Sequence, residues 1–161
     1  MPAQPHTAET KLEIDRGAHT IRMARVFYAP RAAIFAAWTQ PEQVTCWWEP
    51  AGEPLTTCEI DLRPGGAFRF VSKGRPDMPF SGVYSEIASP DRLIFEAMGA
   101  TGRVVLRDVA GETHMVVEIQ CRSAEHLDQF LEMGVHTGTS QTLDNLVAYA
   151  RGRSIAIDEP A

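Results

Sequence analysis

The chain is poor in basic residues relative to acidic ones, which narrows the classes of partner it can have. It contains 15 Lys and Arg against 21 Asp and Glu, a formal net charge of −6 at pH 7. Nucleic-acid grooves and sites for anionic membrane surfaces depend on clustered Lys and Arg that neutralise phosphates. The few cations here are scattered along the sequence, so we expect neither a nucleic acid nor a membrane as a partner.

Long apolar runs are also missing. No stretch of about 18 apolar residues occurs, so the sequence predicts no membrane-spanning helix. The first ten residues hold two prolines and have neither the basic region nor the apolar region of a secretory signal. We expect residues 1–17 to be a flexible tail, residues 18–152 to form one domain, and residues 153–161 to be a second tail.

Cysteine is scarce, and no metal or nucleophile motif is present. Cys46, Cys58 and Cys121 are far apart, with no C-x-x-C spacing, which fits reduced, inert thiols of a cytoplasmic protein. The five histidines lack an H-E-x-x-H pattern and do not neighbour cysteine, so we expect no metal site. No G-x-S-x-G elbow occurs, and nothing in the sequence predicts a cofactor.

One strand and two short helices are predicted at the start of the domain. Residues 19–28 alternate between two faces, which is typical of a strand, and Pro30 ends it because proline has no N–H to donate to a ladder. A helical apolar stripe follows at Ile34, Phe35 and Trp38. Thr39 and Glu42 then have the spacing of a capping box, which predicts a second helix ending near Trp47-Trp48.

The rest of the sequence predicts six strands and one long helix. The strands are residues 55–62, 67–72, 80–88, 92–98, 103–109 and 113–122, and their short links, including residues 99–102, favour an antiparallel meander. Ser123 can cap one helix that stops at Gly152. We therefore expect an α+β fold in which a curved antiparallel sheet of about six to seven strands wraps around a long C-terminal helix, with a cavity between them.

Aromatic and Met residues on alternating strand positions and on the helix are candidates to line that cavity, with a small apolar or amphipathic molecule as guest. They are Trp48, Phe68, Phe70, Phe80, Tyr84, Phe95, Met115, Phe130, Met133 and Gly134. Trp47 and Trp48 either line the mouth together, or one packs under the helix pair while the other caps it. Gly134 and Gly138 either make room for a ligand or allow close packing or a kink.

Arg25 is an unusual residue because strand alternation places it on the apolar face with Ile21 and Met23. A buried guanidinium needs a partner. Either Arg25 pairs with an acid of the protein, for which Glu42 and Glu118 are candidates, or it holds a carboxylate or phosphate of a ligand.

The sequence supports an enzymatic function less strongly, because no pair of acid–base residues can be recognised in it. His114, Tyr84 and Glu118 are the candidates to move a proton, and His136 in the long helix is a further one. The segment Arg63-Pro64-Gly65-Gly66 has neither a Lys nor a following helix, so we interpret it as a hairpin turn and not as a phosphate cradle.

A series of short motifs runs through nearly the whole chain in one order. They are Arg25, Phe27, Ala29-Pro30, Ala37-Trp38-Thr39, Pro41-Glu42, Trp47-Trp48, Asp61, Arg63-Pro64-Gly65-Gly66, Gly82, Tyr84, Glu86-Ile87, Pro90, Arg92-Leu93 and Leu143-Asp144-x-Leu146. This order resembles the family named after the activator of the heat-shock protein ATPase, in the START-like (SRPBCC) superfamily.

The resemblance implies a helix-grip fold with a lipophilic pocket, and a homodimer is compatible with it. It implies three functions: binding of a small lipophilic molecule, catalysis of the cyclase, aromatase or hydratase kind in the same cavity, or assistance to a chaperone ATPase. Many bacterial members of the family have no known role.

Overall fold

The computed structural model describes residues 10–158 of the chain, with side chains to residue 152. Within this part, eight strands form one antiparallel sheet in the order β1-β2-β8-β7-β6-β5-β4-β3. The strands are β1 Lys11–Asp15, β2 Thr20–Phe27, β3 Leu55–Ile60, β4 Ala67–Ser72, β5 Arg75–Ala88, β6 Arg92–Ala97, β7 Ala100–Val109 and β8 Glu112–Gln120. The helices are α1 Arg31–Thr39, α2 Pro41–Trp47, α3 Ala124–Glu132 and α4 Val135–Asp158.

The expected α+β helix-grip architecture is confirmed. Strands β3 to β8 form a continuous meander, and β8 pairs with β2, so that α1 and α2 bridge the two ends of the sheet. The long helix α4 packs mainly against β2 and α2. Its Leu143 and Leu146 are fully buried in one core with Ile21 and Met23 of β2.

Both predicted tails were wrong in part. Residues 11–15 form β1, which pairs antiparallel with β2 from Lys11↔Ala24 to Asp15↔Thr20. The sheet therefore has one strand more than expected, because a short, mostly charged segment can still pair as an edge strand. At the other end α4 continues past Gly152 to Asp158. Residues 1–9 and 159–161 lie outside the described part of the chain.

The prediction of one continuous helix from Ser123 to Gly152 was also wrong, because α3 and α4 are separate helices. Ser123 caps α3 as predicted, its hydroxyl accepting a hydrogen bond from the backbone N–H of His126 at 3.1 Å. The break follows at Met133 and Gly134, where Gly134 has φ 77°, a left-handed conformation that ends helices. The kink is therefore the correct interpretation at Gly134, while Gly138 lies in the first turns of α4.

The capping box at Thr39 was wrong as well. Thr39 is still helical, and its hydroxyl donates to the carbonyl of Phe35 at 2.8 Å. Gln40 takes the extended cap conformation before α2, with Pro41 following it, and no side chain closes the cap. Only one residue separates the two helices, so Thr39 cannot leave α1 to cap α2.

The same substitution should change the free energy of unfolding in opposite directions at Gly134 and at Gly138. Gly134→Ala forces an L side chain into the left-handed region and should destabilise the protein by about 1 kcal/mol. Gly138→Ala should stabilise it by up to about 1 kcal/mol, because alanine favours the helix and the added Cβ would lie 3.9 Å from Pro50 Cγ. Urea unfolding of both variants measures this, and equal effects would contradict the break.

Candidate functional site

A cavity of about 410 Å³ lies between the inner face of the sheet and helices α3 and α4. Its wall is mainly aromatic and aliphatic, and α1, β4 to β8 and both C-terminal helices contribute to it. The aromatic side chains are Trp38, Trp48, Phe70, Phe80, Phe95 and Phe130. The curved sheet and the straight helices thus leave an apolar space of the size that small organic molecules occupy.

Seven of the candidate residues meet at this cavity. The structure places Trp48, Phe70, Phe80, Phe95, Phe130, Met133 and Gly134 in its wall. Trp47 and Met115 are not among the residues of the wall, and both are fully buried in the core. Alternation predicts the correct face of the sheet for Met115, but the cavity is lined by the other end of β8, at Val117 and Ile119.

Phe68 and Tyr84 belong to an aromatic cluster at the inner end of the cavity. The ring of Phe68 lies 5.2 Å from that of Phe70, 5.1 Å from that of Tyr84 and 5.5 Å from that of Phe95. The space among these rings measures about 20 Å³, which is close to the volume that one water occupies. This cluster forms a rigid end wall.

Gly102 shapes the same wall and corrects the predicted link at residues 99–102. It lies inside β7, directly opposite Phe95 of β6. A Cβ at Gly102 would be 2.5 Å from two ring carbons of Phe95. The glycine therefore lets the Phe95 ring lie flat across the neighbouring strand.

The adjacent tryptophans have different roles. Trp47 is fully buried, its indole N–H donates to the carbonyl of Ala37 at 3.0 Å, and its ring packs against that of Trp38. Trp48 turns towards the cavity and contacts Phe70 edge to face, with ring centroids 4.9 Å apart. One indole fastens the two short helices together and the other lines the cavity.

A polar rim lies where the loop after α2 meets α4 and β4. Thr142 donates to the carbonyl of Trp48 at 2.9 Å, and Asn145 donates to the carbonyl of Glu49 at 2.9 Å. The hydroxyl of Ser72 donates to the carboxylate of Glu49 at 2.5 Å. Sequence reasoning missed this rim; the position of Glu49 next to Trp48 was the signal that could have indicated it.

Arg25 is buried on the inner face of the sheet, as predicted, but its partner is not one of the predicted acids. It donates to the carboxylate of Asp144 on α4 and to the hydroxyl of Thr10 at 3.0 Å. Neither predicted acid is this partner: Glu118 lies on the outer face, 2.7 Å from Arg22. The Arg25 side chain is not part of the cavity wall, so the structural ion pair is the correct alternative.

The predicted acid–base groups do not converge on the cavity. His114 lies 3.2 Å from Glu112 and, like Glu118, is on the side of β8 opposite Met115. The hydrogen bond from Arg22 lowers the pKa of Glu118 despite its partial burial. Burial raises the pKa of Tyr84 well above its usual range, with a smaller contribution from Cys58. His136 is not among the residues of the cavity wall.

Two kinds of feature are absent from the part of the chain that the structure describes. Among residues 10–158, no group of three or more His, Cys, Asp or Glu could hold a metal ion. No helix in this range is long and apolar enough to cross a membrane.

The three free cysteines should differ in reactivity. Burial raises the pKa of Cys58 to about 11, so at pH 8 about one part in a thousand is thiolate, the reactive form. Cys121 is buried and its pKa is raised for the same reason, whereas Cys46 is exposed. Iodoacetamide at pH 8 should therefore modify Cys46 first, as peptide mass spectrometry would show. Cys46→Ser is the control, and parallel modification of Cys58 would contradict its burial.

Substitution of Asp144 and substitution of Arg25 should lower the stability of the protein by different amounts. Asp144→Asn removes the charged acceptor of the buried Arg25 guanidinium and should destabilise the protein by about 2 kcal/mol, as for a lost hydrogen bond to a charged group. Arg25→Met leaves a carboxylate whose side chain is 43% exposed and still hydrated, so it should cost less than about 1 kcal/mol. Urea unfolding measures both.

Asp128→Asn is the control for that experiment. It breaks the pair with Arg16, in which both side chains are more than half exposed. It should cost less than about 1 kcal/mol. A larger loss for Arg25→Met than for Asp144→Asn would show that the guanidinium, and not its neutralisation, is what the fold requires.

Comparison with known proteins matches the chain to one family and one fold. The family model described as Activator of Hsp90 ATPase homolog 1-like protein matches residues 28–151. Protein Ms6760 from Mycobacterium smegmatis is similar in structure, with TM-score 0.78 and 22% identity over 90% of this chain and 99% of that one.

Two further solved structures share the fold. A protein from Rhodobacter sphaeroides has TM-score 0.79 and 20% identity over 89% of this chain and 99% of that one. An AHSA1-like protein from Aeromonas hydrophila has TM-score 0.67 and 20% identity over 83% and 94%. No curated protein matches the chain significantly.

Proposed function

The chain belongs to the family described as Activator of Hsp90 ATPase homolog 1-like protein, and we propose that it binds a small, mostly apolar molecule in the cavity between the sheet and helices α3 and α4. The observation that carries this proposal is the cavity itself, about 410 Å³ with six aromatic side chains in its wall. Small-molecule sites are typically concave, largely apolar, and equipped with a few polar groups that orient the guest.

The wall is held in place by contacts independent of any guest. The aromatic cluster around Phe68 and Tyr84 closes the inner end of the cavity. Thr142 and Asn145 hydrogen-bond to the backbone carbonyls of Trp48 and Glu49 and so hold this loop against α4. A guest therefore meets a preformed surface and does not need to order it, which favours affinity.

Three exposed methionines surround the cavity on separate elements. Met78 of β5 is 67% exposed, Met98 of the β6–β7 turn 50%, and Met133 between α3 and α4 63%, and all three also line the cavity. Met side chains are flexible and polarizable, so they adapt to apolar partners of different shape. This methionine rim is suited to the entry of an apolar molecule.

Binding is favoured over catalysis by the positions of the predicted acid–base groups. His114 and Glu118 lie on the outer face of the sheet, and the buried Tyr84 is held in its protonated form. Assistance to a chaperone ATPase has only the family name as support. The three free cysteines support a reducing compartment such as the cytoplasm.

Native mass spectrometry of the protein purified from its own host tests the proposal. We expect a discrete added mass that organic solvent releases as a small molecule. The solvent-treated, refolded protein is the control, and it should bind a neutral apolar probe such as 2-naphthylmethanol. A protein that carries no added mass and also fails to bind that probe would contradict the proposal.

Filling part of the cavity should weaken binding without loss of stability. Gly138 lines the cavity, and its Cβ position meets nothing closer than Pro50 Cγ at 3.9 Å. Gly138→Leu should therefore place a side chain in the cavity and weaken the binding of 2-naphthylmethanol by about tenfold or more, a loss of about 1.4 kcal/mol. Gly138→Ala is the matched control and should keep the affinity, as isothermal calorimetry would show. Equal affinities in both variants would indicate that the probe binds elsewhere.

A further inference from the structure

We propose that the guest of this cavity is an organic cation, an amine with an apolar body, whose ammonium group is bound by Glu49 at the polar rim. This inference rests on the proposed function, because it concerns the same cavity. It adds the charge of the guest and the residue that selects it.

Glu49 is a carboxylate held in a fixed position at the cavity. Its side chain is half-buried in the wall. Asn145 of α4 donates to its backbone carbonyl at 2.9 Å, and Ser72 of β4 donates to carboxylate atom Oε2 at 2.5 Å. The loop and the carboxylate are thus both oriented by neighbouring elements before any guest arrives.

This carboxylate has no cationic partner within the described residues. None of the ion pairs found there includes Glu49, and its one side-chain hydrogen bond comes from a neutral hydroxyl. A partly desolvated carboxylate is costly unless a charge compensates it. Ser72 occupies one of about four acceptor positions of the group, so an ammonium group can still donate to the others.

The surrounding rings favour the same charge. Trp48 precedes Glu49 in the chain, and its ring lies 4.9 Å from that of Phe70 and 5.2 Å from that of Phe80. The faces of aromatic rings carry negative potential and attract ammonium groups, tryptophan most strongly. A carboxylate beside a group of aromatic faces is therefore a site for a cation with an apolar body.

Arg75 is the group that would favour the opposite charge. It begins β5, lines the same cavity, and makes no ion pair with Glu49. Its side chain is exposed, and no hydrogen bond fixes it within the described residues. Glu49 is oriented and partly desolvated, whereas Arg75 is in contact with water, so Glu49 should dominate the selection of charge.

Three probes with one body and different head groups test the inference on the full chain at pH 7. They are 2-naphthylmethylamine, 2-naphthylmethanol and 2-naphthoic acid, measured by isothermal calorimetry. We expect the amine to bind about tenfold more tightly than the alcohol, as a charge-assisted hydrogen bond provides, and the acid to bind most weakly.

Two variants identify the responsible residue. Glu49→Gln keeps an acceptor for Ser72 but loses the charge, so it should reduce the affinity for the amine about tenfold and the affinity for the alcohol much less. Arg75→Gln should leave the affinity for the amine the same or slightly higher. Wild-type protein at rising salt provides a measurement without mutation: the amine should lose affinity and the alcohol should not.

Other outcomes would overturn the inference. Tightest binding of the acid, lost in Arg75→Gln, would assign an anionic guest. Equal affinity for all three probes would assign a neutral one, and an equal loss of amine and alcohol in Glu49→Gln would make Glu49 a structural residue. Failure of all three probes to bind would instead contradict the proposed function, because the alcohol tests the cavity without any charge.

Discussion

The buried ion pair between Arg25 and Asp144 fastens the long helix to one side of the sheet. It joins β2 near one edge of the sheet to the middle of α4, beside the buried Leu143 and Leu146. The first turns of α4 lie across a space from the inner face of β4 to β6. The remaining inner surface must be filled by the side chains of those strands or left open, and the structure does both: the aromatic cluster fills the inner end, and the cavity lies in front of it.

Local patterns predict the elements of this fold well and their contacts less well. Period-two alternation places Arg25 on the inner face, and a charge buried there needs a partner. The partner is 119 residues away, and its identity depends on how far α4 slides along β2, which no local pattern encodes. The Leu143-Asp144-x-Leu146 motif contains the answer, but an acid beside an apolar stripe has the same appearance as a solvent-exposed helical position.

The candidate site shows the same limit. Alternation selects the inner face for Phe70, Phe80, Phe95 and Met115 alike, yet only the first three line the cavity, because the position of the cavity along each strand is a property of the assembled layers. Gly134 and Gly138 are equivalent in a helical pattern, but one has a left-handed backbone and ends α3, whereas the other continues α4. The role of Glu49 was missed because it depends on contacts with Ser72 and Asn145, which lie next to Glu49 only in the folded chain.

The pairing of β2 with β8 also affects how the chain can fold. Residues near position 20 hydrogen-bond to residues near position 120, and α4 packs against β2. During synthesis, β2 therefore emerges long before its partner β8, and the inner aromatic face of the meander is made before the helices that enclose it. Folds dominated by such distant contacts assemble slowly and expose apolar surface on the way. The last helix of this domain both completes the core and encloses the cavity, so a molecule in the cavity could be enclosed only after the whole domain is made.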